Sequence, residues 1–154
     1  MKHFAAAISS GTLLLSCLVA CSPQMSVEQQ VISAIRDMEA AVEAGERRTF
    51  MQHVAGDFTG QGEIRTRDQV NALVLYQLHR HEQVHAQLLP IFVTPSGQDE
   101  AEARFHVLLT GGKGWLPEQG QMYEFNTRWK LREGDWMLTA ARWKAAVLED
   151  ALDL

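Results

Sequence analysis

Ala101, Ala103, Phe105, Val107 and Leu109 alternate with Glu102, Arg104, His106, Leu108 and Thr110. Tyr123, Phe125, Thr127, Trp129 and Leu131 then alternate with Glu124, Asn126, Arg128, Lys130 and Arg132. A period of two over this length is the mark of a strand with one buried face. Two such runs, joined by the glycine-rich stretch 111–120, predict a long antiparallel pair whose apolar faces point the same way. Glu133-Gly134-Asp135 turns the chain into a third strand, predicted from Trp136 to Val147. A sheet with one apolar face needs something to cover it.

The cover is predicted from the first half of the chain. Ser26-Val27-Glu28-Gln29 has the form of a capping box, with a hydroxyl at the N-cap and Gln three residues on. Val27, Val31, Ile35, Met38 and Val42 follow at helical spacing with Ile32 beside them, and Gly45 ends the helix. Glu46 to Val54 reads as a second, shorter helix with Phe50 and Val54 on one side. The stretch from Gly56 to Gly62 reads as a loop or short strand. Thr66-Arg67-Asp68-Gln69 repeats the capping box and opens a third helix through Val70, Leu73, Val74 and Leu78. From Val84 to Thr94 the chain is apolar and extended, with Pro90 opposing a helix, and Ser96 to Asp99 turns it into the first alternating run. Helices first and strands after predict an α+β domain with helices packed on an antiparallel sheet.

Residues 1–20 have another character. Met1-Lys2-His3 is a basic start, and Phe4 to Ala20 carry no charge. This has the form of a secretory signal peptide, too short an apolar run for a spanning helix of roughly 20 residues. Both cysteines of the chain, Cys17 and Cys21, lie at its end. Leu18-Val19-Ala20-Cys21 resembles the lipobox of bacterial lipoproteins, which implies cleavage before Cys21 and acylation of its thiol, with membrane attachment through that residue. Leu14-Leu15-Ser16-Cys17 is the weaker match, because a cut there would leave Leu18 to Ala20 as an apolar tail. By the same resemblance Ser22, in place of an Asp, points to the outer membrane, facing the periplasm. Residues 21–25 would be the lipidated cysteine and its tether, and 26–150 a single domain.

With Cys21 acylated, the mature chain has no thiol for a disulfide, a metal or a nucleophile. It carries 13 basic against 19 acidic residues. A mildly acidic domain without clustered Lys and Arg is a poor match to nucleic acid. No cofactor motif is present, and Gly111 to Pro117 lacks the spacing and the Lys-Ser/Thr ending of a phosphate-binding loop.

The stretch "DMEAAVEAGERRTFMQHVAGDF", followed later by "ARFHVLLTGG" and "FNTRWKLREGDWMLTAARW", resembles the nuclear transport factor 2-like superfamily. The match is an order of elements covering most of residues 26–147. It implies a cystatin-like α+β cone, a strongly curved sheet wrapped around the helices, whose open end is commonly a ligand pocket. It also implies a homodimer through the open sheet face. The superfamily holds isomerases, dehydratases, cyclases and many non-catalytic domains, so the fold leaves the activity open, and no family catalytic residue finds a matching position here.

Three functional readings follow from the residues. In the first, the domain binds a small apolar ligand or an envelope protein without catalysis. Phe105, Tyr123, Phe125, Trp129 and Trp143 would then point to the concave face and line a pocket or fill the core. Trp115 and Leu116 would stand in an exposed loop able to touch a partner. In the second, His53, Asp57 and Tyr76 supply the base and donor of an isomerase, dehydratase or cyclase; the plainer reading is a hydrogen-bonded His, a turn Asp and a core Tyr. In the third, His81-Glu82-Gln83-Val84-His85 matches the zinc-peptidase motif H-E-x-x-H, which requires a helix to bring His81 and His85 to one metal with Glu82 as base. If the segment is a strand, four residues span about 13 Å, too far for two ligands each about 2 Å from one zinc ion. Arg128, Lys130 and Arg132 share one strand face and read as solvated surface.

Overall fold

The computed structural model describes residues 25–80, 84–111 and 119–147. Residues 1–24, where a signal peptide and the lipidated cysteine are expected and which include Cys17 and Cys21, lie outside the described residues, as do His81, Glu82, Trp115 and Leu116. Among the described residues no helix is long and apolar enough to cross a membrane.

Helix α1 (Val27–Glu43) begins with the capping box: Ser26 accepts from the Gln29 amide, and the Gln29 side chain accepts from the Ser26 amide. It buries Val31, Ala34, Ile35, Met38 and Ala41, a stripe at helical spacing. At its end Gly45 has φ of +70°, the Gly45 amide donates to Val42, and the Glu46 amide donates to Ala41. This pair of bonds is a Schellman closure and satisfies carbonyls that the helix leaves open. Helix α2 (Arg47–Gln52) is shorter than its sequence suggested, because Val54 already belongs to strand β1 (Val54–Gly60).

Strand β2 (Arg65–Thr66) leads into α3 (Arg67–Arg80), where Thr66 and Gln69 form the second capping box. Arg67 donates to the Val54 carbonyl at 3.1 Å and to the Met51 carbonyl at 3.0 Å, fixing α3 to the junction of α2 and β1.

The extended run after α3 is two strands, β3 (Val84–Leu88) and β4 (Phe92–Pro95). Both pair with β5 (Glu100–Gly111), β3 along Val107–Gly111 and β4 along Ala101–Arg104. The break falls around Pro90, which has no amide for a ladder. Strands β5, β6 (Gln119–Arg132) and β7 (Asp135–Ala146) form the antiparallel centre. Among the described residues the sheet has seven strands in the order β2-β1-β7-β6-β5-β3, with β4 also on β5. It is mixed, not wholly antiparallel, because β1 runs parallel to β7. Those two strands come from opposite ends of the chain, so no hairpin joins them to set an antiparallel sense.

The sheet curves around α1. A register shift between Arg128 and Trp129 on the β6–β7 ladder bends the strands there. The core gathers Val31, Ile35 and Met38 of α1 against Phe105, Val107, Trp129, Trp136 and Leu138 of the sheet, with Phe58 of β1 and Val70 of α3 at one side.

Candidate functional site

Three of the aromatic residues anticipated on the concave face form one cross-strand row. Phe105 pairs with Phe125, and Phe125 with Trp143. The Phe105 and Phe125 rings stack with centroids 5.5 Å apart, and Phe125 and Trp143 lie 6.3 Å apart. Tyr123 tilts against Phe125 at 6.5 Å. Burial divides the set. Trp129 and Phe105 are 1% and 7% exposed and belong to the packed core under α1. Phe125 and Trp143 are half-buried beside that core, and Tyr123 is half-buried at the row's edge. Around Trp129 the interior of the curve is filled with side chains.

A cleft of about 700 Å³ lies elsewhere, between α1 and the end strand β3. Its walls are Ile32, Leu88, Leu89, Pro90, Ile91 and Leu108, and Arg36, Glu39, Glu43 and His85 stand among them. The two glutamates are one turn apart on α1. Glu43 Oε1 accepts from the Ala86 amide at 3.1 Å, and Glu39 Oε1 accepts from the Leu88 amide at 3.0 Å. His85 Nδ1 lies 3.9 Å from the same Glu43 oxygen. Sequence reading passed over Glu39 and Glu43 because it followed the apolar stripe of the helix; their spacing of four was the available signal.

The proton-transfer candidates stand apart. His53 is half-buried at the end of α2, facing a shallow depression of about 400 Å³ with Asp37, Glu46 and Thr49. Asp57 is exposed, and Arg132 holds both its oxygens, at 2.7 and 2.8 Å. That hydrogen-bonded guanidinium keeps the Asp57 carboxyl below the usual carboxylate range. Tyr76 is on the outer side of α3, 55% exposed. His53 and Asp57 share neither a cavity nor a hydrogen bond.

The zinc motif is only partly within the described residues. Helix α3 ends at Arg80, and Val84 and His85 lie on β3, whereas His81 to Gln83 lie outside the described residues. Among the described residues no group of three or more His, Cys, Asp or Glu is placed to hold a metal.

Of the basic residues on the outer face of β6, Lys130 pairs with Glu100 at 2.6 Å and Arg132 with Asp57. His106 departs from its place in the alternation. It is 1% exposed, and neither ring nitrogen has a hydrogen-bond partner among the described residues.

A curved, open mixed sheet folded over an N-terminal helix defines the nuclear transport factor 2-like, cystatin-like fold, and the chain has that fold. Solved structures carry it too. A dehydratase of the nuclear transport factor 2-like family from Streptomyces avermitilis, so assigned provisionally, superposes with a TM-score of 0.66 at 15% identity, over 78% of this chain and 96% of that one. An uncharacterised cystatin-like protein from Caulobacter vibrioides gives 0.65 at 14% identity, over 82% and 94%. Bd1075 of Bdellovibrio bacteriovorus gives 0.66 at 8% identity over 77% of this chain, which spans only 41% of Bd1075. At these identities the likeness is one of fold. No protein-family model and no curated protein matches the sequence.

Proposed function

We propose that the chain is a membrane-tethered, non-catalytic binding domain, and that the cleft between α1 and β3 takes a small, largely apolar ligand. The observation that carries this reading is the cleft. Its volume of about 700 Å³ lies within the usual range for small-molecule sites, and its walls mix aliphatic side chains with polar and charged groups that would orient a ligand. The dehydratase-like alternative has less support, because Asp57 is occupied by Arg132 at the surface and His53 faces a different depression. Attachment to the outer membrane through acylated Cys21 is part of the same proposal and rests on the lipobox.

An apolar fluorophore tests the binding reading. N-phenyl-1-naphthylamine added to the purified full chain should brighten and saturate at one site per chain. Ile91→Arg or Leu108→Arg should abolish the signal, and Phe125→Leu should leave it. Absence of binding, or binding indifferent to both arginine variants, would overturn the proposal. If instead the wild-type chain binds no fluorophore but cross-links through the cleft to an envelope protein, the ligand class is wrong and the site is a protein interface.

A further inference from the structure

Among the described residues strand β3 ends the sheet, so the amides on its outer side have no neighbouring strand there. Open edges of this kind recruit further strands and are managed in folded proteins by charge, proline or cover. Here the cover is chemical. The Ala86 and Leu88 amides, two residues apart on the strand, donate to Glu43 and Glu39, four residues apart on α1. Four residues of helix rise about 6 Å, and two residues of strand advance about 6.7 Å, so one helical turn matches the repeat of the strand edge. Each glutamate takes the place that a carbonyl of an added strand would occupy, with a charged acceptor that binds an amide more strongly than a neutral one.

We infer that Glu39 and Glu43 close the β3 edge against strand addition, and that their loss opens this edge to β3 of a second copy. The antiparallel pairing of two equal edges satisfies both sets of amides at once. Confinement of the chain to a membrane surface, as the lipobox implies, would raise the local concentration of copies and make such a block useful. The inference stands independently of whether the cleft binds a ligand.

Residue-resolved amide exchange on the full chain in mild detergent tests it. Glu39→Ala should speed exchange at Leu88 about tenfold or more and spare Ala86, whereas Glu43→Ala should do the reverse. The Leu89 amide, which donates to the His106 carbonyl at 3.0 Å, should be unchanged in both. The double alanine variant should form dimers or larger assemblies by native mass. The Glu39→Gln/Glu43→Gln variant, which keeps an acceptor oxygen at each position, should keep the wild-type mass. Equal acceleration at Ala86, Leu88 and Leu89 would report general loosening and overturn the inference. So would a double alanine variant of wild-type mass.

Discussion

The indole of Trp129 is buried to 1% exposure, and its Nε1 donates to Thr127 Oγ1 at 2.9 Å. The same hydroxyl donates to the Ala103 carbonyl at 3.0 Å. One hydroxyl thus satisfies two polar groups of the buried interior. Thr127→Val keeps the shape and removes both bonds, so it should cost about 1–3 kcal/mol in urea unfolding. His106 is the opposite case, a buried ring whose nitrogens have no partner among the described residues. His106→Leu removes no hydrogen bond and should leave stability equal or higher. A loss well above 1 kcal/mol on the same urea measurement would mean that the ring is bonded after all. The Asp57–Arg132 pair sits at the surface and acts through pH. Because Asp57 is held below its usual range when folded, its contribution is present above the unfolded carboxylate range. It is lost as the pH falls through the lowered value. In Arg132→Ala, the Asp57 carboxyl followed by NMR should titrate at higher pH than in the wild type, and an unmoved midpoint would contradict the pairing.

Among the elements, α1 and the three central strands were legible because each repeats its own period over many residues. Val31, Ile35 and Met38 fall where the helical spacing put them, and Ala101, Ala103, Phe105 and Val107 fall inward as the alternation required. Short elements were harder. Glu46 to Val54 holds both a helix and the start of β1, and six residues of helix are too few for a period to separate from the strand that follows. The segment from Val84 to Thr94 has the composition of one strand, and its division at Pro90 depends on two successive pairings with β5 that composition does not encode. The end of α1 is a clear local signal. Gly45 has a φ of +70°, and a Cβ there would meet no atom within 4 Å. Gly45→Ala therefore meets backbone strain alone and should lower stability by about 1–2 kcal/mol, seen as a lower thermal midpoint with an unchanged far-UV spectrum. Gly60 is different: a Cβ would lie 3.1 Å from Phe58 and 3.3 Å from Trp143, so its constraint is packing.

At the scale of the molecule, the cone and its aromatic row could be read in advance, and the cleft could not. The row lies on strands adjacent in sequence. The cleft joins Glu39 and Glu43 of α1 to residues more than forty positions on, and no local pattern announces that meeting. The zinc motif shows the same limit, since its five residues match a helical pattern while the last two of them, Val84 and His85, lie on a strand. Cys21 carries the proposed tether. A Cys21→Ala form should leave the membrane fraction or remain unprocessed, whereas Cys17→Ala should behave as wild type. Native mass spectrometry of the full chain, gently extracted from its own membrane, tests the binding reading most directly. The expected result is a small-molecule adduct on the wild-type chain that is lost in Ile91→Arg and Leu108→Arg. A bare wild-type chain, or an adduct that both variants retain, would contradict a ligand site between α1 and β3.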